Sequence, residues 1–139
     1  MPLKPTLTVS GYRGVWEKTL TDEITTNYIR AFVRFTREDT GKEKPTILIG
    51  RDGRESGPEI SKVIIRELKN LGVDFVDGDV LPTPTVLFAV RKHKYDGAVI
   101  ITASHNPIEY NGLKFVNKDA FFSIGGEIEK INEYYEQHS

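Results

Sequence analysis

Three short runs of apolar and β-branched residues, "TILIG" (46–50), "VDFVD" (73–77) and "GAVIIT" (97–102), are separated by two longer stretches whose apolar residues recur at helical spacing. That alternation limits the possible folds more than any other feature. Each run is too short and too β-branched for a helix and reads as a strand. Between the first two, Pro58 opens a helix with Ile60, Ile64, Leu68 and Leu71 on one stripe and Gly72 as its stop. Between the last two, "TPTVLFAVRKH" places Thr83 as a cap and Pro84 in the first turn. Strands separated by helices run parallel, with the helices packed on the sheet faces.

An earlier helix is expected from Thr21, a capping residue followed by Asp22 and Glu23, with Ile24, Tyr28, Ala31, Phe32 and Phe35 on one face. The charged stretch "REDTGKEKP" (37–45) then reads as a surface loop. After "GAVIIT" only "ASHNPIEYN" (103–111) precedes Gly112, too short for a helical crossover, so "LKFVN" (113–117) returns antiparallel. Ile124, Ile128, Ile131 and Tyr135 mark a final helix. The expected fold is a three-layer α/β/α sandwich, with a mixed, mainly parallel sheet of about four strands and an antiparallel edge strand, in a single domain over 1–139.

The 139 residues suffice for one core. Nineteen basic against twenty acidic residues, a net charge of −1, point to no nucleic-acid partner. No run resembles a signal peptide or membrane span, so the chain reads as unprocessed and without a membrane partner. The lack of cysteine removes disulfides, thiol catalysis and Cys-type zinc sites and fits a reducing, cytoplasmic setting.

In open α/β sheets ligands bind beyond the carboxyl ends of the parallel strands. Three loops leave those ends, "RDGRESG" (51–57), "GDVLPTPT" (78–85) and "ASHNPIEYNG" (103–112), so Arg51, Asp52, Arg54, Ser104, His105 and Asn106 emerge along one edge. Forked guanidinium donors and the flexible Gly53 and Gly57 suit a phosphate. Each residue also has a plainer alternative. Arg51, Asp52 and Arg54 can form a solvated loop with an exposed ion pair, "SHNP" can be a simple turn, and Lys114 can protect the outward face of an edge strand. Asp77 and Asp79 read as turn residues after a strand rather than as a metal site. No G-x-G-x-x-G, phosphate loop or G-x-S-x-G elbow occurs, and His93 and His138 are the only other imidazoles.

Taken together, "TASHNPIEYNGLKF" (102–115), "SGYRG" (10–14), "GRDGRESG" (50–57) and "LPTPTV" (81–86) resemble, in this order, the first-domain signatures of the α-D-phosphohexomutases. This family includes phosphoglucomutase, phosphomannomutase and phosphoglucosamine mutase. The resemblance implies a reversible shift of a phosphoryl group between the C1 and C6 oxygens of a hexose phosphate, through a bisphosphorylated sugar that also serves as activator. Ser104 would carry the phosphate. Arg13 and Lys114 would stabilise the transferring group or handle its proton, His105 and Asn106 would flank the phosphoserine, and Arg51 and Arg54 would face phosphate. Mg²⁺ would bind the Ser104 phosphate, with its other ligands in a second domain. Domains II to IV of such an enzyme are absent here, so the chain reads as domain I, inactive alone, with the remaining mutase domains as partners and self-association of the fragment a further expectation. A non-catalytic module that binds a phosphorylated ligand or an interaction partner is the alternative.

Overall fold

The computed structural model describes residues 6–137. The elements follow as β1 (Tyr12–Val15), α1 (Asp22–Thr40), β2 (Thr46–Arg51), α2 (Gly57–Asn70), β3 (Asp74–Val80), α3 (Thr83–His93), β4 (Gly97–Ile101), β5 (Tyr110–Val116) and α4 (Gly126–Glu136). The strands form one sheet in the order β1-β5-β4-β2-β3. β2 pairs in parallel with β3 and β4, whereas β5 runs antiparallel to β4 and β1 antiparallel to β5.

The layered α/β fold is as the sequence predicts, and the sheet has one strand more. β5 is interior, and the antiparallel edge is β1. Periodicity could not reveal β1, because four residues containing a glycine carry too little alternation. It is set up instead by a turn in which Gly11 N–H bonds Thr8 C=O at 2.9 Å, with Gly11 at φ +89°. A side chain at Gly11 would also run into the backbone oxygen of Leu113.

β4 is the centre of the sheet, buried at all five positions. Its side chains split by alternation. Val99 and Ile101 join a core with α1, α2 and α4, while Ala98 and Ile100 join a second one with Val86 and Val90 of α3. Three helices thus cover one face and a single helix covers part of the other. Thr21 caps α1 as expected, its hydroxyl accepting from the Ile24 N–H at 3.2 Å.

Four local expectations are corrected. α1 runs through Thr40 to a left-handed Gly41, so the charged loop is shorter than 37–45; Arg37 reaches from the helix to the carbonyls of Glu43 and Leu71. The cap of α3 is Pro82, and Thr83 lies inside the first turn without a side-chain cap. Asp77 and Asp79 sit within β3 rather than after it, at a bulge where the pairing jumps from Ile49–Asp77 to Arg51–Val80; the expected turn chemistry is present there, since Asp77 Oδ1 accepts from the Asp79 N–H at 2.9 Å. The last helix starts at Gly126, leaving Ile124 exposed before it.

Phe32 of α1 stacks on Phe115 of β5 with ring centroids 4.5 Å apart and is almost wholly buried. Phe32→Ala should lower unfolding free energy by about 3–5 kcal/mol, read as a shift in the urea midpoint at unchanged slope.

Candidate active site

Because β2, β3 and β4 are parallel, Arg51, Val80 and Ile101 end on one edge. The connection after β2 carries α2 to one face and that after β3 carries α3 to the other, so β3 and β4 are added on opposite sides of β2 and the strand order switches between the parallel neighbours β2 and β4. The loops leaving these two strands meet there. Asp52 N–H continues the ladder to the Ile101 carbonyl at 3.1 Å, and the Thr102 hydroxyl donates to Asp52 Oδ2 at 2.7 Å. A recess of about 250 Å³ opens beside them, lined by Arg51, Leu81, Thr83, Ile100 and Thr102 among others.

Ser104 lies at the tip of the loop that follows β4, exposed and in the left-handed region at φ +49°. An L-residue with a side chain resists that conformation. Both its backbone groups are held: the N–H donates to Thr102 Oγ1 at 3.0 Å, and the carbonyl accepts from Arg54 Nη2 at 2.8 Å. The hydroxyl takes no part in holding the loop.

Arg54 is nearly buried, at 9% exposure, so the solvated-loop alternative does not describe it. Its Nη1 donates to the carbonyls of Pro107 (2.7 Å) and Tyr110 (2.9 Å), and its Nη2 to those of Ser104 and Asn106 (2.9 Å). Its Nε lies 3.4 Å from Asp52 Oδ2. All four hydrogens on the two terminal nitrogens therefore bond partners within the chain, and the carboxylate of Asp52 lies beside Nε.

Arg13 enters from β1. It pairs in register with Gly112 of β5, and its Nη1 donates to Asn106 Oδ1 at 2.9 Å. Its Nε is buried with no hydrogen-bond partner. Gly112 is required by this crossing: a Cβ there would lie 2.6 Å from the Tyr12 oxygen, 2.7 Å from the Thr102 oxygen and 3.1 Å from Arg13 Cγ. Leu113 and Phe115 belong to the α1-side core and Val116 to the α3 side, so alternation puts Lys114 on the α3 side with Arg13 and Gly112. α3 packs over β2 and β4 and leaves that end of the face without a helix. Lys114 Nζ sits 3.9 Å from the centre of the Phe122 ring. Burial first, and then the Arg13 guanidinium, hold its ammonium below the usual lysine value of 10.5.

The structure thus gathers Ser104, Asn106, Arg13 and Arg54 around one loop, with Lys114 beside Arg13. His105 is exposed at the tip and makes none of the loop's bonds. Arg51 turns to the recess and binds Asp79 Oδ1 at 2.5 Å. His138 lies outside the described residues. Sequence reasoning missed Thr102, Phe122, and the pair Asn111 and Ser56, joined by a 2.9 Å bond from Asn111 Nδ2. No signal marks Phe122, whereas a threonine two residues before a turn serine is a legible one. Among the described residues no three His, Asp or Glu side chains come together to hold a metal ion, and no helix is long and apolar enough to cross a membrane.

Comparison with known proteins adds lineage to this geometry. The model of the family described as phosphoglucomutase/phosphomannomutase, alpha/beta/alpha domain I, matches residues 5–139. A phosphoglucosamine/phosphogalactosamine mutase of Sulfurisphaera tokodaii is 41% identical over 109 residues, covering 78% of this chain and 23% of its own. A phosphoglucosamine mutase of Clostridium acetobutylicum is 37% identical over 126 residues, covering 88% and 28%. A crystal structure of a phosphoglucomutase/phosphomannomutase family protein from Burkholderia thailandensis superposes with a TM-score of 0.82 at 31% identity, over 99% of this chain and 31% of that one. The chain therefore spans about a quarter of the length of these curated relatives.

The depressed Lys114 value sets a sign for stability against pH. Between the folded value and 10.5 the unfolded chain binds more protons, so this residue's contribution rises with pH across that window and falls as pH drops through the folded value. In an NMR titration of the lysine ε-methylenes, Lys114 should titrate below the exposed lysines, and Lys114→Met should remove that portion of the pH dependence of unfolding.

Proposed function

The chain belongs to the phosphoglucomutase/phosphomannomutase family as its alpha/beta/alpha domain I, and we propose that Ser104 is the residue that carries and transfers phosphate in a hexose-phosphate mutase. The observation that carries this reading is the Ser104 loop itself: a fixed backbone, a free hydroxyl and an adjoining pair of cations at the carboxyl edge of the sheet.

The reaction is a pair of phosphoryl transfers. A sugar hydroxyl attacks the phosphorus on Ser104; the new P–O bond to sugar forms as the bond to Oγ breaks, the sugar loses its proton and Oγ gains one. The bisphosphorylated sugar then reorients, and the reverse transfer from its other end restores the phosphoserine. Little covalent chemistry falls to the protein, whose contribution is placement and charge. Phosphate on Ser104 adds a charge of about −1.5 to −2. Arg13, tied to the loop through Asn106, and Lys114 on the uncovered side of the sheet supply opposing charge. Lys114 is also suited to hold or pass a proton, because its surroundings already disfavour its charged form. His105, exposed at the tip, is the second group for that role.

Mg²⁺ would supply charge neutralisation at the phosphate. Among the described residues the side chains do not make up its oxygen set, so its other ligands would come from the remaining mutase domains, and no step above is routed through it. For the same reason the chain alone is expected to be inactive. Phe88, Ile108, Phe121 and Ile124 are exposed, and are surfaces through which those domains, or a second copy, could be met. The names of the two relatives favour an amino-hexose phosphate as the substrate of the whole protein.

With this domain joined to the rest of a relative's mutase, intact mass and site mapping should show one phosphate from a hexose 1,6-bisphosphate on Ser104, absent in Ser104→Ala. Lys114→Ala should slow phosphoryl transfer roughly hundredfold. Full turnover by either variant would overturn the reading, and undiminished binding of the sugar phosphate by an unphosphorylated Ser104 domain would favour a non-catalytic binding module.

A further inference from the structure

The two arginines of "GRDGR" have the same chemistry in sequence and different surroundings in the fold. Arg51 keeps a face to the recess; Arg54 directs all four N–H groups of its terminal nitrogens to loop carbonyls and is 9% exposed. We propose that Arg54 is a positioning residue, which fixes the backbone of the Ser104 loop and so the direction of the Ser104 hydroxyl, and takes no part in binding phosphate. The inference deepens the phosphoserine reading and rests on it only for what the loop is positioned to do.

Four carbonyls, of Ser104, Asn106, Pro107 and Tyr110, converge on one guanidinium. Carbonyls gathered at one point repel one another and, away from water, need donors. A planar fork with two donors on each terminal nitrogen can bind all four at once; an ammonium with three donors on one atom cannot. Asp52 completes the grip. Its Oδ1 accepts from the Arg54 N–H at 3.1 Å, and its Oδ2 accepts from the Thr102 hydroxyl that in turn binds the Ser104 N–H. The Asp52-Gly53-Arg54 turn thus holds Ser104 from both sides, through Thr102 on its N–H and through Arg54 on its carbonyl. Those are the contacts needed to keep a non-glycine residue at φ +49°. With its charge turned toward Asp52 and the carbonyls, Arg54 leaves the countercharge for a phosphate to Arg13 and Lys114.

The test uses the chain itself, followed by NMR. Arg54→Ala should keep the helices and the β4 amides as in wild type. Its altered resonances should be confined to the substituted turn at 51–57 and to about 102–112, with amide exchange at Ser104 and Asn106 faster by about tenfold or more. Millimolar guanidinium, too dilute to denature, should restore the loop in Arg54→Ala and leave wild type unchanged. Arg54→Lys should behave as Arg54→Ala does, despite the conserved charge. Wild-type resonances in either variant, or a uniform loss of protection in both with no guanidinium rescue, would overturn the proposal. In the joined enzyme, kcat should fall roughly hundredfold with KM little changed and recover with guanidinium. A raised KM at unchanged kcat would return Arg54 to phosphate binding. Because the NMR arm needs no phosphoryl transfer, it can succeed where Ser104 proves not to carry phosphate, so the two readings fail separately.

Discussion

Ala98, Val99, Ile100 and Ile101 have almost no access to water, so the backbone polar groups of β4 must be paired on both sides. β2 and β5 are the neighbours that do so, one parallel and the other antiparallel. Much else follows from that mismatch. The parallel partner brings the Asp52 turn to the same end as Thr102, and the antiparallel partner starts there, so the loop between β4 and β5 is enclosed by both. A loop leaving a sheet at an ordinary edge would have no such walls.

The walls are of different kinds. On the β2 side they consist of hydrogen bonds to the loop backbone from Arg54 and from Thr102, whose hydroxyl Asp52 holds in place. On the β5 and β1 side they consist of side-chain charge, from Arg13 and Lys114, laid over Gly112 and against Phe122. Shape and charge are thus supplied by separate strands, which is why two arginines so alike in sequence, Arg13 and Arg54, end in different work.

How much of this could be read beforehand follows from the range of each signal. Elements with repeated apolar spacing, α1, α2, β2 and β4, are legible because burial imposes a period on the sequence. β1 is not, since its partner β5 is nearly a hundred residues away and four residues cannot show a period. The loop residues were legible as types: Ser104, Asn106 and Arg13 converge as a set drawn from their motifs. What the sequence could not distinguish was an arginine aimed outward from one aimed inward, because Arg51 and Arg54 differ only in which carbonyls the fold brings near them. Lys114 likewise reads as the guard of a sheet edge until β1 is seen to occupy that edge.

The grip on both sides of Ser104 has one more consequence. A group attached to its Oγ changes the charge at the loop tip, yet the N–H and carbonyl on either side are already committed to Thr102 and Arg54. There is little slack through which a modified serine could reshape the loop and report its state elsewhere. Regulatory phosphorylation works by ordering or melting a segment; this segment is already ordered. On the phosphoserine reading proposed above, such a site would serve as a store, which takes a group and gives it back with its own memory of the event erased.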